Sequence, residues 1–156
     1  MNSKNTPTLT KEMIRNFLSK NSLMTVATSG VFPWIATVYY TFDVALQLYF
    51  LSDPSTIHAQ HILVNQKVAV AIADSHQSIS SSKCGLQLWG IAEQISGIYK
   101  VTHALKIWKT DLGVVDPTLT YKMAKGSMFK ITPKRIKLFD QKLFKVPDGK
   151  EPILEL

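Results

Sequence analysis

Cysteine is nearly absent: Cys84 stands alone in 156 residues. An internal disulfide is excluded, and a cytoplasmic protein is the simplest expectation. No apolar run approaches the length of a bilayer-spanning helix. The polar start MNSKNTPTLTKEM has no apolar core of the kind a secretory leader carries. Neither G-x-G-x-x-G nor a P-loop occurs, so the two commonest nucleotide signatures are missing. Acidic residues are also few, 11 against 18 Lys and Arg, for a formal charge of +7.

What is present fits a folded domain. The hydrophobic fraction is 46% and the charged fraction 19%, a globular balance. One domain over 1–156 is expected, with residues 1–8 loose. Half of the 18 basic side chains lie in the last quarter, residues 121–156, among them Lys122, Lys130, Lys134, Arg135 and Lys137. Such a stripe can draw phosphate-bearing ligands or nucleic acid, but lysines on edge strands serve equally as protection against foreign pairing.

Periodicity predicts the elements. Met13/Phe17 and Ile14/Leu18 are i,i+4 pairs, giving a helix from about Thr10 to Asn21. Leu23–Thr28, Pro33–Phe42 and Leu46–Leu51 read as strands joined by turns too short for a parallel crossover, hence an antiparallel meander. Asp53 stands as an N-cap with Pro54 at the first helical position of a helix over Pro54–Val64. In Lys67–Ala73, Val68, Val70 and Ile72 alternate with Ala69, Ala71 and Ala73, so a helix or a second sheet layer is expected against the alanine side. Leu86–Ile95 is a strand broken by Gly90, a bulge or barrel corner. A helix capped by Ser96 runs to Leu112, and a short helical piece starts near Asp116-Pro117. Met128–Thr132 and Arg135–Phe139 form a hairpin about Pro133-Lys134. This order predicts a small antiparallel barrel with flanking helices.

Residues with chemistry are few. In YFLSDPSTIHAQHI, Tyr49–Ile62, a strand runs into a helix start lined by Ser55, Thr56 and His58. Free amides and the helix dipole make such a start a seat for phosphate. His58 and His61 share a helix side, but no Glu, Asp or Cys follows at ligand spacing, so no metal site is expected. Cys84 carries no local sign of activation. Trp89 lies near the expected pocket, whereas Trp108 belongs to a helix stripe with Val101 and Leu105. Lys83 beside the Ser78–Ser82 cluster is an anion candidate on a mobile loop.

The stretches ATVYYTFD at Ala36–Asp43, YFLSDPSTIHAQHI at Tyr49–Ile62, VAVAI at Val68–Ile72, GLQLWG at Gly85–Gly90 and FKITPKRIKLFD at Phe129–Asp140 resemble the pyridoxamine 5′-phosphate oxidase-like proteins, the FMN-binding split barrels, in an uncharacterised bacterial branch. The resemblance implies a six-stranded antiparallel split β-barrel, mainly β with flanking helices. It also implies a homodimer with FMN at the shared interface. The flavin ring would lie along Ala36, Thr37, Val38 and Tyr39, and the phosphate near Leu51, Ser52, Thr56 and His58. Gln87 lies two residues from Gly85, the position matching a flavin-contacting glutamine. Ile57 stands where the family carries a phosphate-binding arginine, and Ile35–Thr41 holds no Arg or Lys.

Three functions follow as expectations. The first is an FMN-binding oxidoreductase of unknown substrate. The second is a flavin-free dimeric barrel for another anionic or planar ligand, such as haem or a different flavin. The third is a basic barrel binding single-stranded nucleic acid, which needs aromatic platforms beside its charge; the aromatics of the last quarter sit at buried-looking positions, and this partner ranks last. No membrane association is expected.

Overall fold

The computed structural model describes residues 8–156; the loose segment expected over 1–8 falls, apart from Thr8, outside them. The elements in chain order are α1 (Lys11–Leu18), β1 (Leu23–Ser29), β2 (Pro33–Phe42), β3 (Leu48–Leu51), α2 (Ile57–Val64), β4 (Lys67–Ala73), β5 (Cys84–Gln94), α3 (Ile98–Leu112), α4 (Tyr121–Ala124), β6 (Met128–Asp140) and β7 (Ile153–Glu155). Among the described residues, no helix is long and apolar enough to cross a membrane.

The strands close on themselves. β3, β2, β1, β4, β5 and β6 pair in that order, all antiparallel, and β3 pairs back onto β6. The result is the expected six-stranded barrel. Period-two alternation points Met24, Val26, Val68, Val70, Ile72, Leu86 and Leu88 inward, where all are buried. Phe50 and Phe129 stack across the β3–β6 closure with ring centroids 5.3 Å apart, a geometry aromatic pairs favour.

The hairpin expected about Pro133-Lys134 is one continuous strand, β6. Both halves pair with β5, and the register slips between Trp89 and Gly90, opposite Pro133. Proline is tolerated there because a bulge relieves it of donating to the ladder. Gly90 is needed at this corner: a β-carbon would run into the Thr132 carbonyl oxygen and lie 3.0 Å from the Pro133 Cα. The edge of β6 away from β5 is shared. β3 occupies it over residues 128–131 and β7, which the sequence reading lacked, over residues 135–137. Packed on the barrel core are Ile14 and Leu18 of α1, and the Tyr40 hydroxyl donates to the Leu18 carbonyl at 3.0 Å.

Helix boundaries moved where local polar groups compete. α1 starts as expected, with the Thr10 hydroxyl accepting the Met13 amide at 3.2 Å. α2 does not start at Pro54. Asp53 turns back on Ser55, accepting its amide at 2.8 Å and its hydroxyl at 2.5 Å, and the N-cap position falls to Thr56. An aspartate that satisfies a residue two positions on makes a turn and not a cap. α3 likewise begins after Gly97 and not at Ser96, and Gly113 ends it in the left-handed region. The helical piece expected near Asp116 is a turn closed onto Thr118, and α4 follows at Tyr121.

α3 lies on the outside of β2, β3 and β6. Val101, Ala104 and Leu105 bury themselves there with Tyr49, Ile95 and Met128. The Thr41 hydroxyl donates to the Asp111 carboxylate, and the Trp108 indole N–H donates to the Tyr39 carbonyl at 3.4 Å. The opposite wall carries no such cover. Ala69, Ala71 and Ala73 are exposed, so the layer expected over them is not present among the described residues. The alternation was right about direction; small side chains alone do not say what lies against them.

Candidate functional site

The residues expected to cradle a phosphate come together. Ser52 ends the run of β3 and donates its amide to the Ser127 carbonyl at 2.8 Å, which fixes the junction. Its hydroxyl lies 2.6 Å from His58 Nε2 and 3.2 Å from the Thr56 hydroxyl, and Thr56 Oγ1 is 3.3 Å from the same nitrogen. Thr56 also donates to the Asp53 carbonyl at 2.8 Å. His58 is buried, and burial, with His61 nearby, pushes its pKa below the usual imidazole value. The cluster is therefore a neutral hydrogen-bonding site at pH 7. Asp53, close in sequence, is exposed, and its hydrogen bonds from Ser55 hold its carboxyl below the usual range. Ile57 occupies the first helical position and is half exposed.

The residues expected along a flavin ring lie on β2. Thr37 and Tyr39 point to the outer face, while Ala36 and Val38 are half-buried on the other side. β3 pairs with β2 only from Tyr40 to Phe42, so the edge of β2 over 33–39 that faces away from β1 has no strand partner among the described residues. Trp108 takes the Tyr39 carbonyl; the remaining main-chain groups of that edge seek other partners. Leu51 is half-buried at the end of β3.

Gln87 is on the same outer face but far away. Thr37 faces Thr25, Thr25 faces Ala71, and Ala71 faces Gln87. Three inter-strand steps separate it from Thr37 by about 14 Å along the sheet. Gly85 is buried with the Phe139 ring against it. Between Thr37 and Gln87 stretches a low surface of Thr25, Ala27, Ala69, Ala71 and Trp89, flanked by exposed Ile35 and Tyr39. Ile57 borders a cleft of about 630 Å³ between the β1–β2 turn and α2. Another cleft, of about 810 Å³, lies beside α1 and the β4–β5 loop.

Other candidates resolve on their surroundings. Burial, and next the Asp140 carboxylate, push the Cys84 thiol up to about 11, so it stays protonated at neutral pH. The Lys83 ammonium donates to the carbonyls of Ser78, Ile79 and Ser81 at 3.0, 2.6 and 2.8 Å, so its donors are spent on its own loop and not on an anion. Lys130 pairs with Glu93 at 2.7 Å, Arg135 with Glu155 at 2.6 Å and Lys137 with Glu151 at 3.2 Å. These pairs break up the basic stripe. The Trp108 indole ties α3 to β2 through the Tyr39 carbonyl. The reading of single residues overlooked the partners of His61. Its Nδ1 lies 3.0 Å from the Thr28 hydroxyl, beneath the Ser29-Gly30 turn.

No family model matches the chain. Over 87 residues it is 31% identical to the UPF0306 protein of Yersinia pestis biovar Antiqua (strain Antiqua), a match covering 54% of this chain and 58% of that protein. The chain thus spans under two thirds of the length of the curated relatives it matches. Solved structures agree over far more of the chain. A Clostridium acetobutylicum protein related to general stress protein 26 of B. subtilis, of the pyridoxinephosphate oxidase family, superimposes with TM-score 0.67 at 15% identity over 95% of this chain and 97% of that one. The fold is that of the pyridoxamine 5′-phosphate oxidase-like split barrels. A FAD-binding protein from Mesorhizobium loti shares this split barrel (TM-score 0.61, 17% identity, 83% and 92% covered). A heme binding protein from Mycobacterium smegmatis shares it as well (0.66, 17%, 93% and 57%). The split barrel is therefore a scaffold on which more than one planar cofactor is carried.

Proposed function

We propose that this split barrel holds FMN between two identical chains and serves as a flavin-dependent oxidoreductase. The observation that carries the reading is the unpaired edge of β2 over 33–39, set beside the Ser52–Thr56–His58 cluster. An isoalloxazine ring has a rim of hydrogen-bonding atoms, and the free amides and carbonyls of a strand edge match it. Ala36 and Val38 contribute main chain there, Thr37 and Tyr39 their side chains. Leu51 closes the edge, and Ser52, Thr56 and His58 receive the phosphate. The bound flavin would supply the hydride or electron chemistry; the protein's part is to orient it and keep water from one side.

One chain offers only a single wall for such a ligand. The low surface from Thr25 to Ala71 is the natural seat for a second copy, since small side chains let two sheets approach closely. In that pairing Gln87 of one copy serves the flavin seated on β2 of the other, which its 14 Å separation from Thr37, by about three strand spacings, forbids within one chain. The FAD-binding and pyridoxinephosphate oxidase-family neighbours support the flavin reading.

Charge is the weak point of this seat. Ile57 brings no cation and His58 is neutral, so affinity rests on hydroxyls and amides. The direct test mixes purified protein with FMN and follows quenching of flavin fluorescence, with light scattering for mass. Saturable quenching by a two-chain species is the expected result; a single-chain particle, or no quenching at millimolar FMN, overturns it. Should FMN be ignored by a dimer, the reading passes to a flavin-free module for another planar ligand, which the missing cation and the heme binding neighbour favour.

A further inference from the structure

The starts of β1 and β5 and the ends of β4 and β6 meet at one rim of the barrel. α1 borders that rim, and between the two opens the cleft of about 810 Å³. Barrel mouths are a preferred place for small-molecule sites, and the volume suits one. Gln77 ties the β4–β5 loop to the rim: its side-chain oxygen accepts the Cys84 amide at 2.7 Å, and its own amide donates to the Asp74 carbonyl at 3.0 Å. The cleft stands apart from the flavin seat. Asp140 ends β6, whereas Met128, the partner of Leu51 beside Ser52, begins it.

The two sides of this cleft differ in chemistry. Met13 and Phe17 of α1, with Leu23 and Leu143, supply hydrocarbon, a thioether and an aromatic ring. The strand side supplies charge. Cys84 and Asp140 are register partners, and the alternation that turns Leu86, Leu88, Ile136 and Leu138 inward turns both of them toward the mouth. Asp140 Oδ1 accepts the amides of Lys142 and Leu143 at 2.9 and 3.0 Å, which anchors the carboxylate. Its Oδ2 meets the Cys84 thiol, a weak donor, at 3.5 Å. Among the described residues Asp140 has no ion-pair partner. Half-buried and without a counter-ion, that oxygen is open to a charged donor.

The balance of charge selects the ligand. One permanent cation lines the cleft, Lys20, and its side chain is exposed. Against it stand Asp140, Asp74 and the carbonyl end of α1, where the helix dipole is negative. Asn21 gives its side-chain N–H to the Phe17 carbonyl at 3.0 Å, which leaves its oxygen as a further acceptor. A bare metal ion is a poor fit, since no cluster of three or more ligating side chains forms among the described residues and half of the wall is hydrocarbon. A cation that carries its own apolar body uses both sides, and an aromatic ring beside it adds to the attraction. We propose that this barrel mouth binds a small organic ammonium ion, its N–H donors on Asp140 Oδ2 and its apolar body against Phe17, Met13 and Leu143.

The test titrates the full chain with phenethylammonium and, in parallel, with hydrocinnamate, which carries the same ring on a tail of opposite charge. Calorimetry gives affinity, and methyl NMR gives the place. Phenethylammonium should saturate at one per chain, shift the methyl signals of Met13 and Leu143, and bind at least about tenfold tighter than hydrocinnamate. Asp140→Asn keeps the oxygen that accepts the Lys142 and Leu143 amides, and should weaken phenethylammonium at least about tenfold. Lys20→Gln removes the opposing charge and should tighten it by about twofold, a small effect because the ammonium is exposed. Equal affinity for the two probes overturns the proposal, as does an unchanged affinity in Asp140→Asn or no saturation at millimolar phenethylammonium. Should Asp140→Asn fail to fold, Lys20→Gln tests the same charge balance alone, and weaker binding there overturns it. FMN quenching by Asp140→Asn should match wild type, which keeps this result apart from the flavin reading.

Discussion

Two walls of one barrel differ in what covers them. Over β2, β3 and β6 the wall is dressed by α3, whose Val101, Ala104 and Leu105 are buried against Tyr49, Ile95 and Met128. Over β1, β4 and β5 no helix crosses the outer face among the described residues; β1 and β4 present small side chains there, Thr25, Ala27, Ala69 and Ala71, and β5 adds Gln87 and Trp89. The dressed wall is complete within one chain, so its residues speak to stability. The bare wall leaves its alanine methyls in solvent, and it is the face the second copy takes in the proposed dimer. The proposed flavin seat lies at the boundary between them, where the edge of β2 runs beside Ser52, Thr56 and His58.

Mutation can break that contrast from either side. The largest effect is expected on the dressed wall. Leu105→Ala should cost about 2–5 kcal/mol in urea unfolding, because a buried leucine leaves a cavity. Its effect on chain association should be small. On the naked wall Ala71→Arg should reverse the pattern: unchanged unfolding of the single chain, but a light-scattering mass that falls from two chains to one, with FMN quenching lost. A wild-type mass of one chain would remove the contrast altogether.

Smaller changes sharpen it at the boundary. Ile57→Arg adds a guanidinium at the first turn of α2, and a charge-assisted contact is worth about 1.5–3 kcal/mol. FMN should therefore bind at least about tenfold tighter by fluorescence titration. An unchanged affinity would show that the phosphate lies elsewhere. The smallest effect is in pH. Burial lowers the His58 pKa in the folded chain, so the unfolded chain binds the extra proton first as pH falls. The stability tied to His58 is complete above its unfolded value, near 6.5, and is lost as pH drops through the lowered folded value. His58→Gln should flatten that slope in urea midpoints measured between pH 7 and 5. FMN binding should move the other way and tighten toward acid, since a protonated His58 suits a phosphate.

Much of the barrel was legible in the sequence. β2 and β4 match their expected spans, Pro33–Phe42 and Lys67–Ala73: β2 is marked by its β-branched and aromatic residues, and in β4 the alternation of Val68, Val70 and Ile72 with alanine fixes both the strand and its inner face. Polar and proline signals misled where two meanings compete. Asp53-Pro54 looks like a helix start, yet Asp53 closes a turn on Ser55. Pro133 looks like a hairpin tip, yet it rides on a bulge made possible 43 positions earlier by Gly90, a pairing no local window contains. The candidate phosphate site was legible as a cluster of hydroxyls and one histidine. Its lack of charge was legible only in part: Ile57 could be read from the chain, but the burial that keeps His58 neutral could not. The Thr28–His61–Gly30 contact escaped for the same reason, since it joins a turn to a helix 31 residues on.

The shared edge of β6 has a consequence for how this chain is handled. β3 seals residues 128–131, but residues 135–137 are sealed only by Ile153, Leu154 and Glu155. Clipping the last few residues would leave three positions of a long strand with open amides and carbonyls, the template on which neighbouring molecules stack into fibres. β7 thus acts as a sheath for this stretch of β6.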